Sequence, residues 1–471
     1  TSDDIGFKIA PLINAAGRIG DPNLIIDLFT NKSNDSVVKL TNDCFNMNSE
    51  RKIVWSWAFY DWANSAFSTT VMAGFFPIFF EKFWSNPEDV IQSTYQLGWA
   101  NSIASIIIAA ISPFLGAVAD RGSAKKKFLF IFAFLGIIMT GGLWMVEQGE
   151  WQMAIAFYVI ASIGFMGGNI FYDSLLPSIA SNEKVDYVSS LGFAVGYIGG
   201  GLLFLVNVLM YQHPEWFGIA DGSTAIRLSF LSVAVWWAVF TIPILLFVPE
   251  PKNKNKVPLL YALKAGAKQL KETYNHIKEL RVIGIFLLAY WFYIDGVDTI
   301  IRMAVKMGSS MGFEAGVLIT ALLMVQFIAF PAALLYNRFA QKIGTKNAVF
   351  VAIGGYGVIT FLGYFMMDPI HFYMLAAMIG IFQGGIQALS RSLFARLIPV
   401  GKEGEFFGFY NMLGKFAAVI GPVLMGYVTL VTGSVRFGIL SILILFIIGA
   451  ILLSKVDFEE GKKLAADFGN N

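Results

Sequence analysis

The strongest constraint on this chain is a series of long apolar segments, each of about 20 residues or more. A helix of about 20 residues crosses the hydrocarbon core of a bilayer. Within lipid a chain must satisfy its own backbone hydrogen bonds, which favours helices. The segments therefore predict an all-α polytopic membrane protein with twelve membrane-spanning helices. They cover residues 53–83, 95–118, 127–147, 151–176, 187–211, 225–249, 282–304, 314–336, 347–367, 370–392, 405–431 and 436–454.

Composition agrees with a membrane protein and argues against several other classes. Hydrophobic residues make up 56% of the chain and charged residues 14%, whereas soluble domains carry about 25% charged residues. A net charge of +2 supplies no basic field for nucleic acid. Cys44 is the single cysteine, and His213, His276 and His371 fall in or beside predicted loops. We expect no disulfide and no histidine–cysteine metal centre, although a site of Asp and Glu alone stays open. No phosphate-binding Gly-Lys-Ser/Thr loop is present, and we expect no cofactor and no enzymatic activity.

Lysine and arginine are distributed unevenly between the loops, which predicts the orientation of the spans. With the N-terminus inside, 24 of them fall in cytoplasmic segments and 5 in outer loops and rims. Short cytoplasmic loops are enriched in these residues. Both termini are therefore predicted to be cytoplasmic.

The longest hydrophilic connection divides the spans into two groups of six. Residues 250–281 contain Pro251, Pro258 and a basic amphipathic stretch at 261–280. We interpret 51–249 as an N-terminal six-helix half and 250–281 as a cytoplasmic linker that contains a basic amphipathic helix. Residues 282–455 form a C-terminal six-helix half, and 456–471 a cytoplasmic tail.

The two halves repeat each other in sequence. Three residues of the first half recur 222 positions later: Pro177 and Pro399, Gly192 and Gly414, Gly199 and Gly421. Asp120-Arg121 ends the second span as Asn337-Arg338 ends the eighth. Duplicated six-helix halves are typical of secondary transporters, which bind solute between the halves near the membrane midplane.

Residues 1–50 form a polar leader that does not match the rest of the chain. Residues 5–21, which include Ile-Asn-Ala-Ala-Gly-Arg, resemble RecJ-type single-strand-specific exonucleases, with Leu12 where that family has arginine. The metal-binding Asp and His motifs of that family are absent from the sequence, so we expect no nuclease activity. We interpret residues 1–46 as a remnant of an adjacent or fused gene, with the functional protein beginning at Met47. The alternative is an appended segment that packs on the cytoplasmic face.

Polar side chains within the spans follow a regular pattern. The third, sixth, ninth and twelfth spans have no charged or amide side chain in their interiors, whereas the first, fourth, seventh, eighth, tenth and eleventh spans do. A charge at the bilayer centre costs about 2.5–3.5 kcal/mol on insertion scales, so such side chains are expected to face one another or a water-filled cavity. The candidate pathway for a solute or proton comprises Asp61, Asn64, Asn169, Asp295, Gln383, Gln387 and Lys415.

The segment Gly116-Ala-Val-Ala-Asp120-Arg121-Gly122 resembles the signature loop of the major facilitator superfamily, although it has one residue fewer than the usual form. A weaker second copy has Ala333 and Asn337. The resemblance implies the major facilitator fold, with the first, fourth, seventh and tenth spans around the pathway. Asp120 can accept hydrogen bonds from helix-end amides and from cations across the halves, and so hold the cytoplasmic side closed; the alternative is an ordinary basic loop. The candidate gate residues are Gly116, Asp120, Arg121, Asp173, Asn337, Arg338 and Arg391.

Three motifs on three different spans carry a narrower resemblance. They are Tyr60-Asp61-Trp62-Ala63-Asn64-Ser65-Ala66-Phe67, Tyr293-Ile294-Asp295-Gly296-Val297 and Gly384-Gly385-Ile386-Gln387-Ala388-Leu389-Ser390-Arg391-Ser392. From residue 51 to 455 the chain resembles the bacterial branch of the autophagy-related vacuolar-effluxer-like family. The resemblance implies a transporter in the bacterial cytoplasmic membrane. Eukaryotic members are associated with amino-acid efflux from the vacuole, whereas no substrate follows for the bacterial branch.

Two charged residues have competing interpretations. Lys415 needs a partner in the membrane, and Asp295 and Asp61 are the candidates. We favour Asp295 because it lies in the same half, either as a pair that breaks when solute or a proton arrives or as a permanent structural ion pair. Asp61 either carries a coupling proton or bonds a neighbouring helix. Asp298 and Arg302, four residues apart, are predicted to pair on their own helix.

The leading functional hypothesis is a monomeric secondary transporter that exports a small polar solute by rocking of its two halves. Amino acids are candidate solutes and a proton is the candidate coupling ion. The second hypothesis is a membrane sensor or lipid-handling protein, because the basic stretch 264–281 can lie on anionic lipid or bind a partner. A remote third hypothesis is nuclease-related activity of the leader.

Overall fold

A computed structural model describes residues 34–86, 90–251, 258–275, 280–416 and 420–470, and within them every regular element is a helix. The RecJ-like stretch lies outside the described residues. The helices are α1 (Asn34–Ala66), α2 (Val90–Gly122), α3 (Lys125–Gly142), α4 (Trp151–Ile179), α5 (Val185–Gln212), α6 (Gly222–Phe247), α7 (Leu259–Asn275), α8 (Arg281–Ser310), α9 (Ala315–Ile343), α10 (Thr345–Gly363), α11 (Pro369–Ala395), α12 (Glu403–Phe416), α13 (Ile420–Thr432), α14 (Val435–Ser441), α15 (Leu443–Ser454) and α16 (Phe458–Asn470).

Eleven helical segments among the described residues are long and apolar enough to cross a membrane. They coincide with the second to twelfth predicted spans, so the prediction of a polytopic all-α membrane protein is confirmed. The first predicted span, 53–83, lies on a helical run from Asn34 to Trp84 that is not among the eleven. The count of twelve therefore stays a prediction.

Beyond Ala66, α1 continues in wider turns. Phe67–Phe75 and Phe80–Trp84 are π-helical, and the short α-helical piece Phe76–Phe79 lies between them. These turns carry Ser68 and Thr69 to an apolar cavity of about 250 Å³ between α1 and the second half. π-helical turns are rare and often occur at functional sites, so this part of α1 is positioned by more than simple helix packing.

Each half is held together by contacts among its own helices. In the first half α1 packs on α5 and α6, and α3 packs on α4 and α6. In the second half α8 packs on α15, and α11 packs on α9 and α10. The halves meet through a smaller set of pairs: α2 with α12, α4 with α12, and α5 with α9 and α11. These four pairs position the site described below.

The duplication predicted from sequence is visible in matching lysine contacts. Near the start of α3, Lys126 Nζ donates to the carbonyl of Val248, just after the end of α6, at 2.6 Å. Near the start of α10, Lys346 Nζ donates to the carbonyls of Ser454 at 3.1 Å and Val456 at 2.8 Å, at the end of α15. A cation at the carbonyl end of a helix stabilises it. Each half thus uses one lysine to join its third helix to its last.

The start of the first predicted span, the last helix α16 and several connections meet at one face of the bundle, which we call the terminal face. Beside the start of the first span, Glu50 pairs with Lys184, in the connection between α4 and α5, at 3.1 Å. That connection meets the second half through Arg396, which donates to the carbonyl of Asn182 at 3.1 Å. That the terminal face is cytoplasmic stays a prediction from the lysine and arginine distribution.

The basic linker forms a helix that packs on the protein. The predicted amphipathic stretch 261–280 corresponds to α7, which ends at Asn275. Ala262 is fully buried, and Gly266 lies so close to Val118 of α2 that a Cβ would approach within 2.8 Å of it. The opposite side, with Lys264 and Lys268, is exposed. One side of α7 is therefore covered by the bundle, and the other, which carries lysines together with Tyr261 and Leu263, is left for lipid or a partner.

Candidate functional site

A polar cavity of about 210 Å³, which we call the central cavity, lies where the two halves meet. Helices α1, α4 and α5 of the first half and α8, α11 and α12 of the second half contribute to its wall. It is lined by Asp61, Phe165, Asn169, Tyr172, Asp173, Phe193, Tyr290, Ile294, Asp298, Gln387, Arg391, Tyr410, Asn411, Gly414 and Lys415. Four predicted pathway residues are among them: Asp61, Asn169, Gln387 and Lys415. Two predicted gate residues, Asp173 and Arg391, share the same wall.

Arg391 of α11 joins the two halves at this cavity. Its Nη1 donates to Asp173 Oδ1 at 3.0 Å, and Nε and Nη2 donate to the hydroxyl and carbonyl of Ser189, each at 2.9 Å. Asp61 lies 3.9 Å from the same guanidinium. Three aromatic rings surround it at 4.2 to 5.4 Å: Trp57, Tyr172 and Phe193. Because the side chain is only 3% exposed, its charge depends on these partners from the first half.

Asp61 has few direct hydrogen-bond donors. Ser65 Oγ donates to it at 3.2 Å and the Tyr172 hydroxyl at a long 3.4 Å. One turn later, Asn64 Nδ2 donates to Asn169 Oδ1 at 2.6 Å, which ties α1 to α4. The predicted polar face of this helix is thus divided between a carboxylate in the cavity wall and an amide that holds the neighbouring helix.

The structure does not pair Lys415 with Asp295, contrary to the sequence prediction. Asp295 is fully buried, and its carboxylate accepts hydrogen bonds from the amides of Ile420 at 3.0 Å and Gly421 at 2.9 Å. Hydrogen bonds from backbone amides to a carboxylate are charge-assisted and therefore strong. Asp295 is therefore occupied by the backbone and lines no part of the central cavity.

Lys415 lies in the wall of the central cavity together with Asp298. The charges that act on its ammonium are those of Asp298, Arg302 and Asp173. Asp298 had been expected to serve only a local pair with Arg302, yet it faces the cavity. The sequence identified the buried cation, but it placed Asp295 rather than Asp298 beside it, because spacing along a helix does not reveal which side of the helix faces the cavity.

The two predicted glutamines of α11 are separated by the fold. Gln387 Oε1 accepts a hydrogen bond from the Tyr197 hydroxyl at 2.6 Å, so it links α11 to α5 at the central cavity. Gln383, one turn away, lines the apolar cavity of about 250 Å³ that also contacts Ser68 and Thr69. Of the two, only Gln387 belongs to the polar site.

Between the central cavity and the terminal face, α2 of the first half is tied to α12 of the second. The Asp120 carboxylate accepts hydrogen bonds from the amides of Gly404 and Glu405, both at 2.9 Å. Lys125 Nζ lies 3.0 Å from Asp120 and 2.8 Å from Glu403. Asp120 thus contacts both helix-end amides and a cation, as expected for the signature loop, although the cation comes from its own half. The ion pair of Lys125 with Glu403 is a further link between the halves.

Glycine allows these two helices to touch through their backbones. A Cβ on Gly116 would lie 2.0 Å from the carbonyl oxygen of Gly404, and one on Gly408 would lie 2.6 Å from that of Ser112. Neither distance is available to a larger residue without separation of the helices. Arg121, the remaining signature residue, has its Nε buried without a hydrogen-bond partner among the described residues.

The linker helix α7 adds contacts beside the place where α2 meets α12. Gln269 Nε2 donates to the buried Glu405 at 2.7 Å. Lys402 Nζ donates to Thr273 Oγ1 at 3.4 Å, and burial lowers the pKa of the Lys402 ammonium. The linker therefore joins the start of α12 to α2, in addition to connecting the halves along the chain.

The second copy of the signature, at Asn337 and Arg338, does not make a contact between the halves like that of Asp120. Asn337 is buried, its Oδ1 has no hydrogen-bond partner among the described residues, and Arg338 is exposed. Asp186, in the first turn of α5, fulfils the corresponding role, since it accepts from Thr345 Oγ1 at 2.7 Å and pairs with Arg396 at 2.9 Å. Sequence reasoning missed Asp186 because an acidic residue in the first turn of a helix is ordinary.

The remaining residues missed from sequence are aromatic and amide side chains of the cavity wall. Tyr290 and Tyr410 stack with ring centroids 4.1 Å apart, and Asn411 Nδ2 donates to Asp173 Oδ2 at 3.1 Å. Aromatic residues are so frequent in this chain, at 15%, that no single one is marked as a site residue by its type. No cluster of three or more metal-binding side chains occurs in the part of the chain that the structure describes.

Comparison with known proteins agrees with this architecture. The family model described as "Vacuole effluxer Atg22 like" matches residues 49–96 and 90–466. An uncharacterized MFS-type transporter of Bacillus subtilis, YxiO, is 37% identical over 86% of this chain and 94% of its own length. Autophagy-related protein 22 of Eremothecium gossypii is 24% identical over 87% of this chain and 91% of its own length.

Solved structures support the fold. The proton:xylose symporter XylE superposes with a TM-score of 0.69 at 14% identity, over 89% of this chain and 98% of its own. The human organic anion transporter MFSD10 superposes with a TM-score of 0.67 at 13% identity, over 86% of this chain and 99% of its own. The helices therefore have the major facilitator fold. Together with the relatives, this makes the protein a multi-pass membrane transporter and not an enzyme. The chain belongs to the Atg22-like vacuole effluxer family.

Proposed function

We propose that this protein exports a small zwitterionic solute, such as an amino acid, by alternating access of the central cavity. The observation that carries the proposal is a charged cavity whose wall is shared by both halves. Its volume of about 210 Å³ is below the range of about 300–1,000 Å³ for drug-sized ligand sites, which favours a small solute.

The charges of the cavity support a zwitterion. Three carboxylates, Asp61, Asp173 and Asp298, and two cations, Arg391 and Lys415, line one space. Arg391 is already bonded to Asp173, so Lys415 is the better candidate for the carboxylate of a solute. Asp61, with only long or weak donors, is the candidate for its ammonium group. Export is suggested by the "effluxer" description of the family, and the bacterial cytoplasmic membrane by the Bacillus relative.

A proton is the proposed coupling ion, and Asp61 its proposed carrier. Carboxylates inside membrane proteins frequently serve in proton relays. Asp61 lies 3.9 Å from Arg391, which also holds Asp173 at 3.0 Å. Neutralisation of Asp61 removes one of two negative charges from this guanidinium and alters how firmly Arg391 joins the halves. Proton binding would in this way change the balance between the conformation seen here and one open to the terminal face.

The proposal is tested by uptake into vesicles that contain the purified chain, with and without an imposed pH gradient, over a panel of amino acids. Wild type should move a neutral amino acid faster with the gradient. Lys415→Ala should lose transport. Asp61→Asn should bind the solute more weakly, so that counterflow exchange needs a higher solute concentration, and the exchange that remains should not respond to the gradient. Asp368→Asn, which changes a carboxylate at the exposed N-terminus of α11, serves as the matched control.

Two results would contradict the proposal. If no amino acid moves while other solutes do, the solute class is wrong; if the gradient acts equally on Asp61→Asn, the coupling residue is wrong. Absence of any transported solute, together with stable co-purification of a protein partner, would favour the sensor hypothesis.

A further inference from the structure

A groove of about 430 Å³ opens at the terminal face of the first half, away from the central cavity. It lies between the start of the first span, the end of α4 and the start of α5. Arg51 and Lys184 contribute cations to it, and Val54, Ile179 and Val188 contribute apolar wall. The groove therefore combines positive charge at its polar end with an apolar interior.

Aromatic side chains of the kind found at membrane interfaces border this groove. Trp55 is 36% exposed and Tyr187 is 39% exposed, and both line it. Nearby, Lys52 Nζ lies 3.6 Å from the centroid of the Phe247 ring at the end of α6. Tryptophan and tyrosine concentrate where the hydrocarbon core meets the headgroups, so the groove lies at headgroup depth.

The corresponding place in the second half is covered by the chain itself. Helix α16 follows the last span and packs across the start of α8 and the end of α11. A Cβ on Gly461 would lie 2.5 Å from Leu397 and 2.9 Å from Val282, and Phe458 packs against Phe286 with ring centroids 5.9 Å apart. The helix that follows the first half, α7, packs instead on α2. The first-half groove consequently lacks the cover that its counterpart has among the described residues.

The charge of the groove favours an anionic occupant. Lys184 pairs with Glu50 at 3.1 Å, but both side chains are more than half exposed, so this pair is weak and a phosphate can compete for the lysine. Arg51 makes no ion pair with any residue that the structure describes. Guanidinium and ammonium groups are the usual ligands of phosphate. Basic pockets between membrane helices on the cytoplasmic side bind anionic headgroups.

We propose that this groove binds one anionic phospholipid, with its phosphate between Arg51 and Lys184 and an acyl chain along Val54, Ile179 and Val188. The site is separate from the solute pathway and does not depend on the proposed substrate. It also differs from the exposed basic side of α7, which lies on one helix, whereas the groove is enclosed by the start of the first span, the end of α4 and the start of α5.

Native mass spectrometry of the purified full chain tests the proposal, with phosphatidylglycerol and phosphatidylcholine of identical acyl chains as probes. Wild type should retain one phosphatidylglycerol in preference to phosphatidylcholine. The double variant Arg51→Gln, Lys184→Gln should bind it at least about tenfold more weakly. Lys264→Gln, Lys268→Gln removes the same number of charges from α7 and should remain within about twofold of wild type. The exchange Arg51→Lys, Lys184→Arg should preserve binding.

Several outcomes would overturn the proposal. One is that wild type and the variant Arg51→Gln, Lys184→Gln retain phosphatidylglycerol equally. Another is that the variant Lys264→Gln, Lys268→Gln loses as much binding as the groove variant. Either result means that the groove is not the site. Glycerol phosphate that competes as well as the whole lipid would show that the site takes a free phosphate compound. Should the double variant elute as an aggregate, Lys184→Gln alone carries the test, since its side chain is 53% exposed and should show a partial loss.

Discussion

Replacing Gly116 by alanine should separate the two halves on the terminal face. A Cβ at this position would lie 2.0 Å from the carbonyl oxygen of Gly404, 2.3 Å from its carbonyl carbon and 2.7 Å from the amide of Glu405. All three are backbone atoms, so no side-chain rotation relieves the clash. The start of α12 must move away from α2 by more than 1 Å to reach ordinary van der Waals contact.

That displacement breaks the contacts of Asp120. Its two hydrogen bonds from the amides of Gly404 and Glu405 are 2.9 Å long, and they exceed hydrogen-bond range after a shift of this size. A hydrogen bond to a charged group contributes about 1.5–3 kcal/mol, and water replaces part of it once the helices separate. We therefore expect a net change of about 2–3 kcal/mol against the present conformation, which is about a 30- to 150-fold shift in population.

Gly98 provides a matched control on the same helix. A Cβ there meets nothing within 4 Å, while the gain in helix propensity, about 1 kcal/mol, is the same as at Gly116. Spin labels at Glu183 and Val400, exposed residues of opposite halves, report the separation after Cys44 is replaced by serine. Gly116→Ala should move the distance distribution to longer values and Gly98→Ala should not. Identical distributions for the two folded variants would refute the argument.

Three further changes test individual contacts. Asp173→Asn leaves the buried Arg391 with one charged partner fewer, so the purified protein should unfold at a temperature several degrees lower by tryptophan fluorescence; an unchanged temperature would mean that this pair adds no stability. Asp295→Ala removes the acceptor of the Ile420 and Gly421 amides and should lower the free energy of unfolding in denaturant by about 1–3 kcal/mol, whereas Asp295→Asn keeps an acceptor and should cost about half as much; equal effects would mean that these two hydrogen bonds add no stability. Gln269→Ala should weaken the contact of α7 with Glu405 and increase hydrogen exchange in α7 by about fivefold or more, and no increase would show that α7 is held by its apolar side alone.

Much of the fold could be predicted because hydropathy fixes which segments enter the membrane. Segments two to twelve are helices of the expected length, and the repeated spacing of Pro177 and Pro399 correctly indicated two related halves. The nearness of Arg391 to Asp173 was also expected, since a buried cation and a buried carboxylate at similar depth have few other partners.

The sequence could not predict which buried polar side chains contact each other, because the depth of a residue in the membrane does not specify the rotation of its helix about the helix axis. Asp295 and Asp298 are three residues apart on α8, yet Asp295 accepts hydrogen bonds from the amides of Ile420 and Gly421, whereas Asp298 lines the central cavity with Lys415. The amides of Ile420 and Gly421 that bond Asp295 lie 125 and 126 residues away in sequence, so no spacing rule reveals them. The role of Asp186 depends on Arg396 and Thr345, which lie far away in sequence.

The matching lysines of the two halves have a consequence for how this duplicated chain can be rearranged. Lys126 and Lys346 make the same contact in each half, but the residues at the junction do not match: the position 222 residues before Arg391 is Asn169, and the one before Lys415 is Phe193. A protein built from two copies of the first half would keep the lysine contact in each copy. Between the two copies it would have neither the guanidinium of Arg391 nor the ammonium of Lys415, because Asn169 and Phe193 would stand at those positions. The two halves are therefore similar in how their helices are held together and different in what they contribute to the central cavity. Among the described residues that line this cavity, both cations, Arg391 and Lys415, belong to the second half.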